Sequence, residues 1–197
     1  TERKSLDFPP VENYLQQGVT TMVGGNCGSS PFPIGDFFAK TDSTGIGPNL
    51  ALLVGHNTIR REVMGTENRL ATETEIKEMQ TLVQSAMEDG AFGMSTGLKY
   101  IPGAYSNLDE VVALASVVSE NDGFYATHMR EEGIGLLESV KEAIDIGKQA
   151  NLPVQISHHK AVGKSMWGQS IKTLDMVDSA RKEGLKISLD QYAYTAT

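Results

Sequence analysis

The sequence has little of several features that define other protein classes. It contains one cysteine, Cys27, in 197 residues, so no disulfide can form within the chain. No uninterrupted apolar run reaches the roughly 18 residues of a membrane span. No apolar segment typical of a secretory signal follows the first residues. We therefore expect no membrane partner and a cytoplasmic location.

Basic residues are also few relative to acidic ones. Lysine and arginine together number 17, aspartate and glutamate 25, and the formal net charge is -8. Proteins that bind nucleic acid place a basic face against the phosphates. The charge balance therefore argues against a nucleic-acid partner, although it identifies no substrate.

Short apolar runs alternate with helical patterns along the chain. Six runs preceded by glycine, proline or asparagine predict buried strands over residues 19–23, 50–54, 92–95, 124–127, 154–157 and 187–189. Apolar residues at intervals of three and four predict helices over residues 74–88, 108–120, 135–150 and 170–183. Thr72 and Glu75 predict a capping box at the start of the first of these helices.

A strand followed by a helix, repeated, predicts an α/β fold with parallel strands. A doubly wound sheet and a (β/α)8 TIM barrel both fit, but the glycines after the first strand lack the G-x-G-x-x-G pattern of dinucleotide-binding domains. A whole barrel typically takes about 250 residues. Because Pro31 and Pro33 interrupt any helix there, residues 31–48 are predicted to form a Gly/Pro-rich loop that lines a site.

The residues with most chemical potential follow the predicted strands. Every histidine of the chain is among them. In a parallel barrel the carboxyl ends of the strands meet at one mouth, so these side chains are expected to converge. The set is Cys27, His56, His128, His158, His159 and Asp190.

Three of these residues are suitable zinc ligands. Catalytic zinc sites use about three protein ligands plus a water, whose pKa falls to about 7. Cys27, His128 and His158 supply a thiolate and two imidazoles. Taken singly, each has another interpretation, a buried thiol for Cys27 and a core or capping residue for each histidine. Together, on three strand ends, they favour a metal site.

Six sequence segments resemble the N-acyl-D-amino-acid deacylase (D-aminoacylase) family of the amidohydrolase superfamily, and they occur in family order. The Asn-Cys-Gly and Thr-His-Met-Arg elements are the most specific. The segments are residues 17–28 (QGVTTMVGGNCG), 53–56 (LVGH), 93–98 (GMSTGL), 125–130 (YATHMR), 155–160 (QISHHK) and 190–196 (DQYAYTA).

The resemblance implies a TIM-barrel, metal-dependent amidohydrolase that cleaves the linear amide bond of an N-acyl-D-amino acid and binds Zn²⁺ through Cys27, His128 and His158. Much of the superfamily bridges two metals with a carbamylated lysine on the fourth strand. Here that strand offers Ser95 and Thr96, with no lysine before position 99. This agrees with a cysteine-type site.

The same resemblance implies the substrate contacts. Lys160 and Tyr100 would reach the substrate carboxylate or the scissile carbonyl, with Tyr192 as a third contact. Arg130 would bind substrate or orient His128, or would only pair with one of the two glutamates that follow it.

The two remaining histidines are given lesser roles. His56 is interpreted as structural or as a support behind the ligands. His159 should point away from its neighbour His158 in an extended segment, and ranks below it as a ligand.

Two family features are missing between residues 1 and 197. These are the His-x-His of the first strand and the general-base aspartate after the last strand, which is expected beyond Thr197; Asp190 does not match its position. We therefore interpret residues 1–197 as an incomplete barrel domain, strands two to seven of eight without the β-sandwich, and expect it to be inactive alone. A hydrolase of a D-peptide or cyclic amide, and a non-catalytic barrel, remain as alternatives.

Overall fold

The computed structural model describes residues 2–194, and within that range it contains seven strands, all parallel to their partners. The strands are β1 (Thr21–Gly24), β2 (Asn49–Leu52), β3 (Val54–Gly55), β4 (Gly93–Gly97), β5 (Phe124–His128), β6 (Val154–Ile156) and β7 (Ile187–Leu189).

Helices occupy the connections between the strands. They are α1 (Glu12–Leu15), α2 (Ile34–Thr44), α3 (His56–Met64), α4 (Glu73–Glu88), α5 (Leu108–Glu120), α6 (Leu136–Ala150) and α7 (Ser170–Lys182). Single 3₁₀ turns cover Glu2–Leu6, Gly103–Tyr105 and Lys164–Met166.

The strand order distinguishes a barrel from a doubly wound sheet. β1 pairs with β2, and β3 to β7 pair in sequence order without reversal. The run predicted over residues 50–54 is divided at Leu53 into β2, which pairs with β1, and β3, which pairs with β4. Leu53 itself donates its N–H to the Gly24 carbonyl, and the chain passes there from one sheet to the other. Helices α3 to α7 also pack in sequence order. A doubly wound sheet would reverse its order at a switch point, so the expected α/β barrel architecture is confirmed.

The core lies between the strands and the surrounding helices. It consists of a single apolar cluster of inward-facing side chains, and its largest members are fully buried. Representative residues are Val54, Met79, Met94, Leu114, Tyr125, Leu136 and Ile156. Over residues 2–194, no helix has both the length and the apolarity needed to cross a bilayer.

The four helices predicted from apolar spacing are confirmed as α4 to α7, with ends within a residue of those expected. The capping box is confirmed as well, because the Thr72 hydroxyl accepts from the Glu75 N–H while the Glu75 carboxylate accepts from the Thr72 N–H. Local side-chain chemistry is therefore sufficient to place these elements.

The prediction for residues 31–48 is wrong. Helix α2 occupies most of that stretch, beginning directly after Pro33 and ending at Thr44, and Gly45 follows it as the C-cap with a φ of 73°. Proline is compatible with a helix start, where the missing N–H would have no partner within the helix. The stretch also lies away from the cleft described below.

Candidate metal centre

Three ligand-type side chains meet at the carboxyl ends of the strands. Cys27 lies in the turn after β1, His128 is the last residue of β5, and His158 lies in the turn after β6. Cys27 Sγ is 3.9 Å from His128 Nδ1 and 3.8 Å from His158 Nε2. The two histidine nitrogens are 2.8 Å apart. These are the three residues that sequence reasoning brought together as ligands, and the structure places their donor atoms in one cluster.

The turn that carries Cys27 is held by hydrogen bonds from β4. Ser95 on β4 donates its hydroxyl to the Gly25 carbonyl and accepts the Gly28 N–H at 3.0 Å. Cys27 has a φ of 54°, in the left-handed region that side chains other than glycine rarely adopt. A Cβ at Gly97 would lie 2.2 Å from the Cys27 carbonyl oxygen, so only glycine fits there. These contacts fix where the thiol points.

The turn that carries His158 is held by Asp190, just after β7. The His158 N–H donates to Asp190 Oδ1 at 2.5 Å, and Gln155 Nε2 donates to Oδ2 at 2.8 Å. His158 has a φ of 40°, again left-handed. Its neighbour His159 faces away from the cluster, with Nε2 2.9 Å from the Thr173 hydroxyl of α7. Asp190 therefore shapes the turn through both carboxylate oxygens.

A carboxylate and an ammonium approach the other ring nitrogen of His158. Glu132 Oε1 lies 3.0 Å from His158 Nδ1 and accepts from Lys160 Nζ at 2.5 Å. Lys160 Nζ also lies 3.0 Å from His158 Nδ1 and donates to the His158 carbonyl at 2.8 Å. Nothing in the sequence separates Glu132 from Glu131 beside it, and sequence reasoning gave Glu132 no role in the site.

The close contacts shift the pKa of each partner. Hydrogen bonds with His128 and His158 lower the pKa of the Cys27 thiol from 9.0 to about 7, although burial acts in the opposite direction. Contact with Cys27, and next with Glu132, raises the pKa of His158 from 6.5 to about 9. Burial raises the pKa of Glu132, but bonds from His158 and Lys160 outweigh it and leave that pKa below its usual value. Thiolate character at neutral pH is what a metal ligand requires.

The cluster faces a cleft of about 520 Å³ that also contains three of the predicted substrate contacts. The Tyr100 and His128 ring centroids are 4.6 Å apart. The Lys160 ammonium lies 5.5 Å from the Tyr192 ring centroid. Within residues 2–194, the buried Tyr192 hydroxyl has no hydrogen-bond partner. A buried polar group without a partner costs free energy and is rare in folded proteins.

A buried amide links Tyr100 to the barrel. Asn57 on α3 donates to the carbonyls of Gly97 and Tyr100, both at 3.2 Å, and accepts the Gly97 N–H at 3.3 Å. Sequence reasoning missed Asn57, because one asparagine in the first turn of a helix carries no signal of a distant partner.

Two predicted residues lie outside the cleft. Arg130 pairs with Glu142 of α6 at 2.8 Å and donates to the carbonyls of Ala104 and Ser106 at 3.1 and 3.2 Å. It therefore braces the segment after β4, and neither binds in the cleft nor pairs with the glutamates that follow it.

His56 is fully buried behind the site, at the start of α3. Its Nε2 lies 2.8 Å from Glu110 of α5, which also pairs with the buried Arg60. The histidine thus joins two helices and offers no atom to the cleft. The arrangement matches a structural role, which was one of the two interpretations left open for His56.

The donor set fits a zinc ion. A tetrahedral zinc with Zn–S of about 2.3 Å and Zn–N of about 2.0 Å spaces sulfur and nitrogen donors roughly 3.5 Å apart and nitrogens roughly 3.3 Å apart. The measured separations are 3.8 and 3.9 Å for sulfur to nitrogen and 2.8 Å for nitrogen to nitrogen. Small movements of the rings bring the three donors to those spacings. One thiolate with two imidazoles is also the ligand chemistry that zinc prefers.

Comparisons with known proteins agree with this description of the fold. No protein-family model matches the chain. D-aminoacylase from Alcaligenes xylosoxydans is 36% identical over 92% of this chain and 42% of its own length. N-acyl-D-aspartate deacylase from the same organism is 33% identical over 98% of this chain and 43% of its length. The chain thus spans less than half of the curated relatives it matches.

Solved structures give the same result. A crystal structure of D-aminoacylase superposes with a TM-score of 0.93 at 34% identity, over all of this chain and 46% of that one. N-acyl-D-glutamate deacylase from Bordetella bronchiseptica, complexed with zinc and a phosphonate inhibitor, also gives a TM-score of 0.93 at 34% identity. Another neighbour is described as a D-aminoacylase with a binuclear metal centre.

The barrel topology and the ligand cluster at its carboxyl end are those expected of a segment of a metal-dependent TIM-barrel enzyme. The similarity across the whole chain is more specific, because the relatives and solved structures that match it are D-aminoacylases and N-acyl-D-amino-acid deacylases. The last two residues of the 190–196 motif, Thr195 and Ala196, lie outside the described residues.

Proposed function

We propose that the protein containing this barrel segment is a zinc-dependent deacylase. It hydrolyses the amide bond of N-acyl-D-amino acids and releases a carboxylate and a free D-amino acid. The observation that supports this most is the convergence of Cys27, His128 and His158 on a cleft that also contains Lys160 and two tyrosines. Relatives named D-aminoacylase and N-acyl-D-aspartate deacylase align with nearly the whole chain.

The proposed zinc is held by Cys27, His128 and His158. A zinc ion in such a site lowers the pKa of water and polarises a carbonyl group at neutral pH. The donors are held in place before any ligand arrives, since Ser95 and Asp190 fix the turns that carry Cys27 and His158. Such preorganisation limits the cost of binding the ion.

The substrate's anionic and carbonyl oxygens are recognised by groups on the cleft wall. Lys160 provides an ammonium whose position is held by Glu132 and by the His158 carbonyl. Tyr192 provides a hydroxyl that has no hydrogen-bond partner among residues 2–194, and Tyr100 lies against the His128 ring. A charged donor close to a carboxylate forms the stronger class of hydrogen bond.

Proton transfer in this proposal comes from an aspartate beyond Thr197. Two carboxylates line the cleft within residues 2–194, and each is already paired. Glu131 accepts from Lys99 at 2.6 Å, and Glu132 accepts from Lys160 at 2.5 Å. A lysine beside a carboxylate stabilises the ionised form and makes it a weaker base, so we assign neither glutamate the role of general base.

The test uses the full-length protein loaded with zinc and a matched panel of N-acetyl-D and N-acetyl-L amino acids. Turnover of D substrates with little turnover of their L partners is expected. A cyclic amide and a D-dipeptide in the same panel measure the alternative amide substrates. The absence of turnover for every D substrate would show that the deacylase proposal is wrong.

The zinc assignment has its own test, because activity alone does not locate the metal. Elemental analysis of Cys27→Ala should show loss of most of the zinc found in the unmutated protein. Equal zinc content in the two proteins would remove Cys27 from the proposed ligand set.

A further inference from the structure

The His158 ring has different surroundings at its two nitrogens. Nε2 faces Cys27 Sγ at 3.8 Å and His128 Nδ1 at 2.8 Å. Nδ1 faces Glu132 Oε1 and Lys160 Nζ, both at 3.0 Å. The side chains of His158, Glu132 and Lys160 are each between 14% and 20% exposed, so water competes little with the contacts between them.

The two neighbours of Nδ1 make opposite demands on it. A carboxylate only accepts hydrogen bonds, so Glu132 favours a proton on Nδ1. An ammonium only donates, so Lys160 favours a bare lone pair on Nδ1 and a proton on Nε2. A histidine binds a metal through an unprotonated nitrogen. Zinc at the cluster therefore requires the arrangement that Glu132 favours and Lys160 opposes.

We propose that Glu132 is a positioning residue that holds the His158 proton on Nδ1 and so keeps Nε2 free for the metal. The inference rests on the proposed zinc site. A carboxylate behind a metal-binding histidine fixes the tautomer and the ring orientation, and its loss typically lowers metal affinity by about 10- to 100-fold. Here Glu132 also holds the Lys160 ammonium, through the same oxygen that faces the ring.

The neighbouring Glu131 is a control for Glu132, because it shapes the same loop without contacting His158. Glu131 Oε1 accepts the N–H groups of Glu132 and Gly133 at 3.0 and 2.9 Å, and its other oxygen pairs with Lys99. Glu131 therefore shapes the loop, whereas the Glu132 side chain contacts His158 and Lys160. The two adjacent glutamates form a matched pair for mutagenesis.

The experiment compares Glu132→Met, Glu132→Gln and the control Glu131→Gln in the full-length protein. Zinc affinity is measured by competition with a chelator, and thermal unfolding of the metal-free proteins checks the fold. Glu132→Met leaves Nδ1 without an acceptor, so zinc affinity should fall on the order of 10- to 100-fold. Glu132→Gln keeps an amide oxygen as acceptor and should lose less. Glu131→Gln should match the unmutated protein.

A spectroscopic measurement reads the tautomer directly. Nitrogen-15 NMR of the histidine rings in the metal-free protein is recorded above the His158 pKa of about 9, where the ring carries a single proton. It should show that proton on Nδ1 in the unmutated chain. Glu132→Met should move that proton to Nε2. Should Glu132→Met fail to fold, the same spectrum of Glu132→Gln decides the matter through the fraction of Nδ1–H retained.

Several results would overturn the inference. Equal losses of zinc affinity in Glu132→Met and Glu132→Gln would mean that only the negative charge of Glu132 matters and not its hydrogen bond to Nδ1. An unchanged affinity in Glu132→Met, or an unchanged tautomer in its spectrum, would remove the proposed role while leaving the zinc site intact. No zinc binding by the unmutated protein would overturn both this inference and the zinc assignment on which it rests.

Discussion

Cys27 Sγ and His158 Nε2 lie 3.8 Å apart, and both residues have left-handed backbones, with φ values of 54° and 40°. Such conformations cost on the order of 1–3 kcal/mol each and persist where surrounding contacts enforce them. Ser95 provides those contacts for the first turn and Asp190 for the second. Both turns therefore aim a side chain into the cleft in a way that regular backbone would not.

The adjacent histidines after β6 give the first prediction. His158→Ala should lose most of the bound zinc, because it removes one of three donors in the cluster. His159→Ala should retain the zinc, because His159 contacts Thr173 on the opposite side. Elemental analysis of both variants after dialysis is the measurement. Equal zinc loss in the two variants would mean that the cluster is assigned wrongly.

Gly28 gives the second prediction. It has a φ of 77°, and a Cβ there would lie 2.1 Å from the Asn57 amide oxygen and 2.6 Å from the Gly97 nitrogen. Gly45 has a similar φ of 73° with open space around it, so Gly45→Ala should cost only about 1–2 kcal/mol in unfolding free energy. Gly28→Ala should cost about 1–3 kcal/mol more, from overpacking beside Cys27. Urea unfolding of both variants tests the difference, and equal losses would contradict it.

Asn57 gives the third prediction. Asn57→Ala removes the donor to the carbonyls of Gly97 and Tyr100 and the side-chain acceptor of the Gly97 N–H, while each carbonyl keeps one backbone donor. The unfolding free energy should fall by about 1–3 kcal/mol because the buried Gly97 N–H loses that acceptor, and KM for an N-acyl-D-amino acid should rise as the Tyr100 backbone loses one of its hydrogen bonds. Asn121→Ala is the control, since its bonds to Gln84 and Val117 lie outside the cleft. A rise in KM of the same size in both variants would argue against the role of Asn57.

Glu110 gives the fourth prediction, which concerns pH. Burial acts to raise its pKa, but the bonds from His56 and Arg60 outweigh it and leave the folded pKa below the usual value. The Glu110 carboxyl therefore binds a proton more readily in the unfolded chain than in the folded protein. The stabilisation is complete above the unfolded pKa of about 4.3 and is lost as pH falls through the folded pKa.

The variant for this prediction is Glu110→Gln. At pH 7 it should be about 3–5 kcal/mol less stable than the unmutated protein, because it breaks a buried ion pair. The difference should shrink as pH is lowered through the window given above. Urea unfolding at several pH values measures it, with exposed Glu78→Gln as the control for loss of one charge. A difference in unfolding free energy that stays constant with pH would contradict a lowered pKa for Glu110 in the folded protein.

Much of the fold could be predicted because its signals are local. The spacing of apolar residues located α4 to α7, and Thr72 with Glu75 located a helix start. The loop prediction for residues 31–48 was wrong because proline is compatible with the start of a helix as well as with a loop, and Pro33 directly precedes α2. The position of Leu53 between two sheets could not be predicted, since it depends on a hydrogen bond to Gly24 at the end of β1.

The sequence alone was enough to group Cys27, His128 and His158, because parallel strands bring their carboxyl ends together whatever the details of packing. It could not show that Arg130 pairs with Glu142, because that contact depends on which face α6 turns toward the strands of the barrel. Nor could it distinguish Glu132 from Glu131. The orientation of neighbouring side chains in a turn is set by contacts with distant residues, and these exist only in the folded protein.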